Sequence, residues 1–282
     1  MIVSGTSSQA LAAELAVETG RELAGVSVKQ FPDGERYLRV DGIDDGADVI
    51  IVGSTDSDGA HVELLQLQDA VREAGATEVT TVIPYMGYAR QERAFNPGEP
   101  ASARAVARAL STGTDRVLTV NPHESVVCEY FDVSAKAVDG AHLLATPLSG
   151  LVDPLFLAPD AGACELAQQV RNAYGTGEID HFEKTRHSGT EVEITPSDSS
   201  VSGRDVVLVD DVVTTGSTMS ESVAVLTKHD PENITVVCVH PVFARTAYLK
   251  LKRAGVSEIY ATDTLPHFAS RVSVAPAIAN EL

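Results

Sequence analysis

Val206-Val207-Leu208-Val209-Asp210-Asp211-Val212-Val213-Thr214-Thr215-Gly216-Ser217-Thr218 is the stretch from which the fold of this 282-residue chain is worked out. Four consecutive apolar residues, three of them β-branched, read as a strand buried on both faces, the pattern of a parallel sheet covered by helices. Two carboxylates follow at its C-terminal end, where ligands sit in open α/β sheets. A run of Thr, Gly and Ser then opens a helix. Its free backbone N–H groups, its hydroxyls and the positive helix end suit one phosphate dianion. The carboxylates are too acidic to face that phosphate and suit the hydroxyls of a sugar diol. Diol beside phosphate describes a phosphorylated pentose. The plainer reading is an N-capping loop with two solvated acids, and Asp-Asp followed by Thr-Thr-Gly-Ser-Thr exceeds what a cap requires. No GxxxxGK[ST] and no GxGxxG occurs, so P-loop and dinucleotide-binding readings lack support.

The same strand grammar recurs outward from this stretch. Val49–Gly53, Val79–Ile83, Val117–Val120, Leu155–Ala158, Val206–Val209 and Ile234–Val239 are apolar enough for buried strands. Amphipathic segments lie between them at Ser8–Thr19, Val62–Ala74, Ala101–Leu110, Gly162–Ala173, Ser217–Lys228 and Arg245–Ala254. Strand–helix–strand repetition predicts an α/β fold with parallel sheets and right-handed crossovers. The length suggests about two domains. Pro147, Gly150 and Pro154 mark the least structured central stretch, so the boundary is expected near residue 145. Tyr88–Pro100 and Lys184–Thr190 read as mobile loops and Thr195–Gly203 as a surface loop.

Composition narrows the function classes. The formal net charge is −19, with 40 acidic and 21 basic residues. A surface so acidic repels duplex nucleic acid and anionic lipid, which argues against either as a partner. A phosphorylated ligand must then be met by a local cluster of donors. The basic residues comprise 15 Arg and 6 Lys; acid excess with scarce lysine fits a halophilic protein, because screening over about 3 Å at molar salt makes self-repulsion tolerable. Cys128, Cys164 and Cys238 are far apart and form no CxxC, so neither a disulfide framework nor a zinc ribbon is expected. No apolar run approaches the length of a membrane span, and a cytoplasmic location is expected.

Four further segments carry chemistry. In Glu183-Lys184-Thr185-Arg186-His187-Ser188-Gly189-Thr190-Glu191, Lys184 and Arg186 offer a point charge and a planar fork for phosphate oxygens; a solvated turn between two strands is the alternative. In Asn121-Pro122-His123-Glu124-Ser125, His123 follows a buried strand and is expected to begin a helix, and Val127 rules out HExxH. Asp160, in Ala158-Pro159-Asp160-Ala161-Gly162, ends another strand and offers a metal ligand. Phe31-Pro32-Asp33-Gly34-Glu35-Arg36 is a turn preceded by an aromatic. Pro84-Tyr85-Met86-Gly87-Tyr88-Ala89-Arg90-Gln91-Glu92-Arg93 brings two arginines to a helix start or a phosphate.

Taken together, these five segments resemble the ribose-phosphate pyrophosphokinases, the synthetases of phosphoribosyl pyrophosphate, in their archaeal form. The resemblance runs from Phe31 to Thr218 and continues through Val239-His240-Pro241-Val242 and Thr262-Asp263-Thr264. It implies two similar phosphoribosyltransferase-like domains, 1–145 on the ATP side and 146–282 on the ribose 5-phosphate side. It implies that Lys184 and Arg186 are catalytic, and that Arg186, Asp210, Asp211, Thr214, Thr215, Gly216, Ser217 and Thr218 hold ribose 5-phosphate. Phe31, Asp33, Gly34 and Glu35, with Arg90 and Gln91, match ATP-binding positions, the turn at Phe31 reaching a neighbouring subunit's adenine site. His123 and Asp160 match metal-linked positions, with Mg²⁺ as the metal. A homo-oligomer built from dimers is implied as well.

The activity implied is transfer of the diphosphoryl group of ATP to the C1 hydroxyl of ribose 5-phosphate, releasing AMP. Two other readings remain at this stage: a phosphoribosyltransferase with the same Asp-Asp loop, and a noncatalytic relative binding partners on the same fold. Thr214 departs from the acid that many members of the family carry there.

Overall fold

The computed structural model describes residues 1–186, 192–196 and 199–282. The chain forms two compact units. The first comprises Met1–Asp139, Thr264–Pro266 and Ser273–Leu282; the second comprises Gly140–Asp263 and His267–Val272.

In the first unit, β1 (Ile2–Ser4) leads to α1 (Gln9–Thr19), and an antiparallel ribbon of β2 (Gly25–Gln30) and β3 (Arg36–Asp41) follows. Then come β4 (Asp48–Val52), α2 (Asp58–Glu73), β5 (Glu78–Ile83), α3 (Ser102–Leu110), β6 (Arg116–Val120) and β7 (Ser134–Val138). The main sheet has the order β1-β4-β5-β6-β7 and every pairing is parallel. Val49, Ile51, Val79, Ile83 and Val117 are wholly buried against Leu64, Leu67 and Leu110 of the helices, as strands covered by crossover helices require.

The second unit holds β8 (Leu155–Ala158), α4 (Cys164–Tyr174), β9 (Glu178–Arg186), β10 (Val192–Pro196) and β11 (Asp205–Val212). It continues with α5 (Ser217–Leu226), β12 (Asn233–His240), α6 (Ala247–Ala254), β13 (Glu258–Thr262) and β14 (Ser270–Val272). The sheet order is β10-β9-β8-β11-β12-β13-β14, parallel throughout except for the β9–β10 edge hairpin. The chain ends in α7 (Ala275–Ala279), which packs with α1 in the first unit.

All six expected strands and all six expected helices are present, with ends shifted by a few residues, the largest shift at α2, which starts four residues early. Two loop expectations are corrected. Lys184, Thr185 and Arg186 belong to β9, facing Ile194, Glu193 and Val192 across the hairpin, so Thr195 and Pro196 are strand rather than loop. A polar edge hairpin buries no continuous apolar run and therefore reads like a loop. His187 to Glu191 lie outside the described residues.

Candidate functional site

In the second unit the decisive stretch is β11 followed by the loop that opens α5. β11 lies between β8 and β12 with Leu208 opposite Leu157 and Asp210 opposite Cys238. This register brings Asp210 and Asp211 to the end of the sheet where β8 ends at Ala158 and Asp160 begins the next turn. Asp210 is largely enclosed, and burial pushes its carboxyl well above the usual range; the neighbouring Asp211 adds to this, and Asp160 contributes a smaller rise. Three acids therefore share one strand-end region. Backbone donors hold the pair: Asp211 N donates to Asp210 Oδ1 at 3.0 Å, and Val212 N to Asp211 Oδ1 at 2.7 Å. Burial, together with Asp210 and Asp211, raises the Cys238 thiol far above its ordinary value, so it stays protonated and inert.

The loop beyond is preformed. Gly216 takes φ +67° as the residue before α5, a conformation that a side chain disfavours. No side chain caps α5, so the first N–H groups of the helix are left for another acceptor. Thr214 Oγ1 is buried with no hydrogen-bond partner. Such an atom costs stability unless a ligand or water satisfies it. Thr215 Oγ1 donates to Ser217 Oγ at 3.2 Å, and Lys250 Nζ donates to the same oxygen at 2.8 Å.

Asp160 is exposed and serves first as a cap, its Oδ1 accepting from Gly162 N at 3.0 Å. Lys184 and Arg186 stand near the end of β9; their side chains lie outside what is described.

The first unit carries its candidate residues on excursions from the sheet. The β2–β3 turn is closed by Gly34 N donating to Phe31 O (2.9 Å), Phe31 N to Glu35 O (2.8 Å) and Glu35 N to Asp33 Oδ1 (3.1 Å). Gly34, at φ +94°, supplies the left-handed position. Phe31 is half exposed, its ring packed edge-on against Tyr37 at 6.1 Å. The turn thus offers an aromatic face and two acids to whatever meets it. Its anchor is a feature the sequence reading missed. Arg36 pairs with the buried Glu63 of α2, which also accepts from Thr6 N at 2.5 Å and Thr6 Oγ1 at 2.8 Å. A Glu at an otherwise core-facing helix position was the available signal.

Arg90 and Gln91 follow β5 in a turn that Gly87 makes possible. A Cβ at Gly87 would lie 2.1 Å from Thr55 O, so only glycine fits. Ser102 Oγ donates to Gln91 Oε1, and Ala103 N donates to Gln91 O at 3.2 Å, tying the segment to α3. Tyr88, at φ +64°, donates from its hydroxyl to Asp58 Oδ1 at 2.7 Å. Arg90 is exposed. His123 is exposed three residues beyond β6 and precedes the 3₁₀ turn Ser125–Tyr130 rather than opening an α-helix. Among the described residues, no three His, Cys, Asp or Glu side chains converge on one metal position. Nor is any helix among them long and apolar enough to cross a membrane.

Residues 1–113 match the N-terminal domain of ribose phosphate pyrophosphokinase, and residues 149–276 match the phosphoribosyl transferase domain. A ribose-phosphate pyrophosphokinase of Halobacterium salinarum is 58% identical over 283 residues, covering 100% of both chains. One from Methanosarcina mazei is 44% identical, covering 100% of this chain and 94% of its own. The crystal structure of phosphoribosylpyrophosphate synthetase from Mycobacterium smegmatis superposes with a TM-score of 0.87 at 26% identity, covering 100% of this chain and 96% of that one.

Proposed function

This chain belongs to the ribose-phosphate pyrophosphokinase family, and we propose from that premise how its residues make 5-phosphoribosyl 1-pyrophosphate. The enzyme transfers the diphosphoryl group of ATP to the C1 hydroxyl of ribose 5-phosphate. The bond from O1 to the β-phosphorus forms as the bond from that phosphorus to the α,β-bridging oxygen breaks. AMP leaves, and the hydroxyl proton is released.

The observation that carries the sugar assignment is the sequence of groups at the end of β11. Asp210 is an enclosed acid whose carboxyl is pushed up by burial and by the half-buried Asp211 beside it, and sugar hydroxyls donating to the pair relieve that repulsion. Immediately beyond, Thr214 Oγ1 lacks a partner and α5 lacks a cap. A 5-phosphate at Thr214 to Thr218 supplies the missing acceptors. Diol and phosphate of one pentose thus account for both halves of the motif. A phosphoribosyltransferase would share this half, but the match of residues 1–113 to the N-terminal domain of the pyrophosphokinases favours diphosphoryl transfer.

We assign ATP to Phe31, Asp33, Gly34 and Glu35, which offer a ring face for adenine and acids for its polar edge, and to Arg90 and Gln91. Lys184 and Arg186 neutralise charge developing between entering and leaving oxygens, the main requirement when an anionic centre is attacked in line; Arg186 also contacts the sugar phosphate. The half-exposed Phe31 at a rigid, anchored turn fits an adenine site completed by a second subunit, hence a homo-oligomer built from dimers. A divalent metal belongs to this chemistry, and Mg²⁺ fits the oxygen donors of Asp160, Asp210 and Asp211 better than it fits His123. Asp160, Asp210 and Asp211 are the carboxylates that would hold it, and a Mg²⁺ site of this kind takes one or two of them together with substrate oxygens. Bound there, Mg²⁺ would supply charge withdrawal from phosphate oxygens. Its cytoplasmic setting and salt adaptation follow from the same reading, the latter supported by the −19 charge.

The test is incubation of the pure protein in molar KCl with ATP, Mg²⁺ and ribose 5-phosphate, with AMP followed by chromatography. AMP appearing only when the sugar is present is the expected result. Absence of AMP from protein that binds both substrates would overturn the proposal.

A further inference from the structure

Helix α6 underlies the phosphate loop. A Cβ on Gly216 would sit 3.4 Å from Ala247 O and 3.5 Å from Leu251 Cγ. Phe243 N and Ala244 N, in the segment leading to α6, donate to Val213 O and Thr214 O at 2.9 and 2.8 Å. Ala247, Lys250 and Leu251 stand at i, i+3 and i+4, one face of the helix. With Ala247 and Leu251 beneath Gly216, Lys250 is carried to the rim of the loop, and its ammonium reaches Ser217 Oγ at 2.8 Å. Helix packing and backbone hydrogen bonds thus set where the Lys250 backbone stands, and its exposed side chain spans from there to the loop.

Its present partner is a poor match. Ser217 Oγ is a neutral acceptor that already receives Thr215 Oγ1 at 3.2 Å. A full positive charge with three donors, aimed at the uncapped start of α5, is better satisfied by an anion. Among the described residues, Lys250 is the one cation hydrogen-bonded to the Thr214–Thr218 loop. The loop follows two acids in a chain of net charge −19, so an arriving dianion gains from a cation at contact distance.

We propose that Lys250 is a ligand of the 5-phosphate of ribose 5-phosphate, leaving Ser217 Oγ for a phosphate oxygen as the sugar enters. This rests on the assignment of that loop to the 5-phosphate. It makes Lys250 a determinant of selectivity for the phosphorylated sugar, since ribose itself leaves the ammonium on Ser217.

The experiment titrates ribose 5-phosphate into the full-length protein by calorimetry, without ATP, for wild type, Lys250→Met and Lys250→Arg. Molar KCl is used throughout, because screening over about 3 Å leaves only contact charges effective. Lys250→Met is expected to weaken sugar binding about tenfold, and Lys250→Arg to restore it to within about threefold, since a guanidinium also donates to phosphate. In turnover, the KM for ribose 5-phosphate rises in Lys250→Met while kcat and the KM for ATP stay within about twofold. Unchanged sugar binding by Lys250→Met overturns the proposal. So does a parallel loss in Lys250→Arg, or a fall in kcat with unchanged sugar KM. If folded wild-type protein binds ATP but no ribose 5-phosphate, the loop assignment itself has failed.

Discussion

The two units present their candidate residues in opposite ways. In the second unit, the acids Asp160, Asp210 and Asp211 stand at the strand ends and the donors follow in a preformed loop. The first unit presents Phe31, Arg90 and Gln91 on turns that project from the sheet and are tied back by Glu63, Asp58 and Ser102. On the proposed assignment of the sugar to the second unit and ATP to the first, the difference matches ligand size. A pentose phosphate fits within one strand end and its loop, whereas a nucleotide triphosphate needs contacts spread over separate turns. Rigid enclosure therefore suits the sugar, and braced projections suit the nucleotide.

The comparison breaks most visibly at Lys184, which neither arrangement explains by ground-state binding. Lys184→Ala is expected to lower kcat by about a thousandfold while ATP and ribose 5-phosphate still bind; near-normal turnover removes Lys184 from the transfer step. Next comes enclosure. Asp210→Asn keeps the shape but halves the acceptors, and the KM for ribose 5-phosphate is expected to rise about thirtyfold, with the KM for ATP unchanged. The same variant sharpens the point through stability. The Asp210 carboxyl is raised in the folded chain, so its contribution to stability is fully present below the ordinary carboxylate value and is lost as pH rises through the raised one. Ligand-free Asp210→Asn should lack that decline and melt a few degrees higher than wild type at neutral pH, at roughly 2–4 °C per kcal/mol. A lower melting temperature there contradicts the claim that the acid pair is strained. The smallest effect belongs to the projecting turn: Phe31→Ala is expected to raise the KM for ATP about tenfold, the range of base–aromatic stacking. Its effect on sugar affinity, read by calorimetry, should be nil.

What the sequence made legible divides along the same line. Buried parallel strands such as Val206–Val209 and Ile234–Val239 announce themselves because both faces are apolar. The acids and the Thr-Thr-Gly-Ser-Thr run stand in contiguous letters, so the proposed sugar site is visible in the sequence itself. The hairpin β9–β10 is harder to read, because Glu183-Lys184-Thr185-Arg186 is wholly polar and the alternation Val192-Glu193-Ile194 offers only two apolar positions. The Arg36–Glu63 tie and the contact of Lys250 with Ser217 are not legible there, since they join residues 27 and 33 positions apart through helix packing rather than motif. Local chemistry is written along the chain; the braces between elements exist only once it has folded.

The return of α7 to α1 has a consequence for how the molecule is made. Arg116 donates to Glu281 O at 2.6 Å, and Lys136 pairs with Glu281 at 2.5 Å, so the far end of the chain helps to close the unit that begins at Met1. A ribosome delivers that closing segment only after the second unit has been synthesised. The first sheet must therefore wait, with α1 uncovered, while a later-born neighbour is already free to fold. Order of emergence and order of completion are reversed, and the early half is the one that a nascent-chain chaperone has most reason to hold.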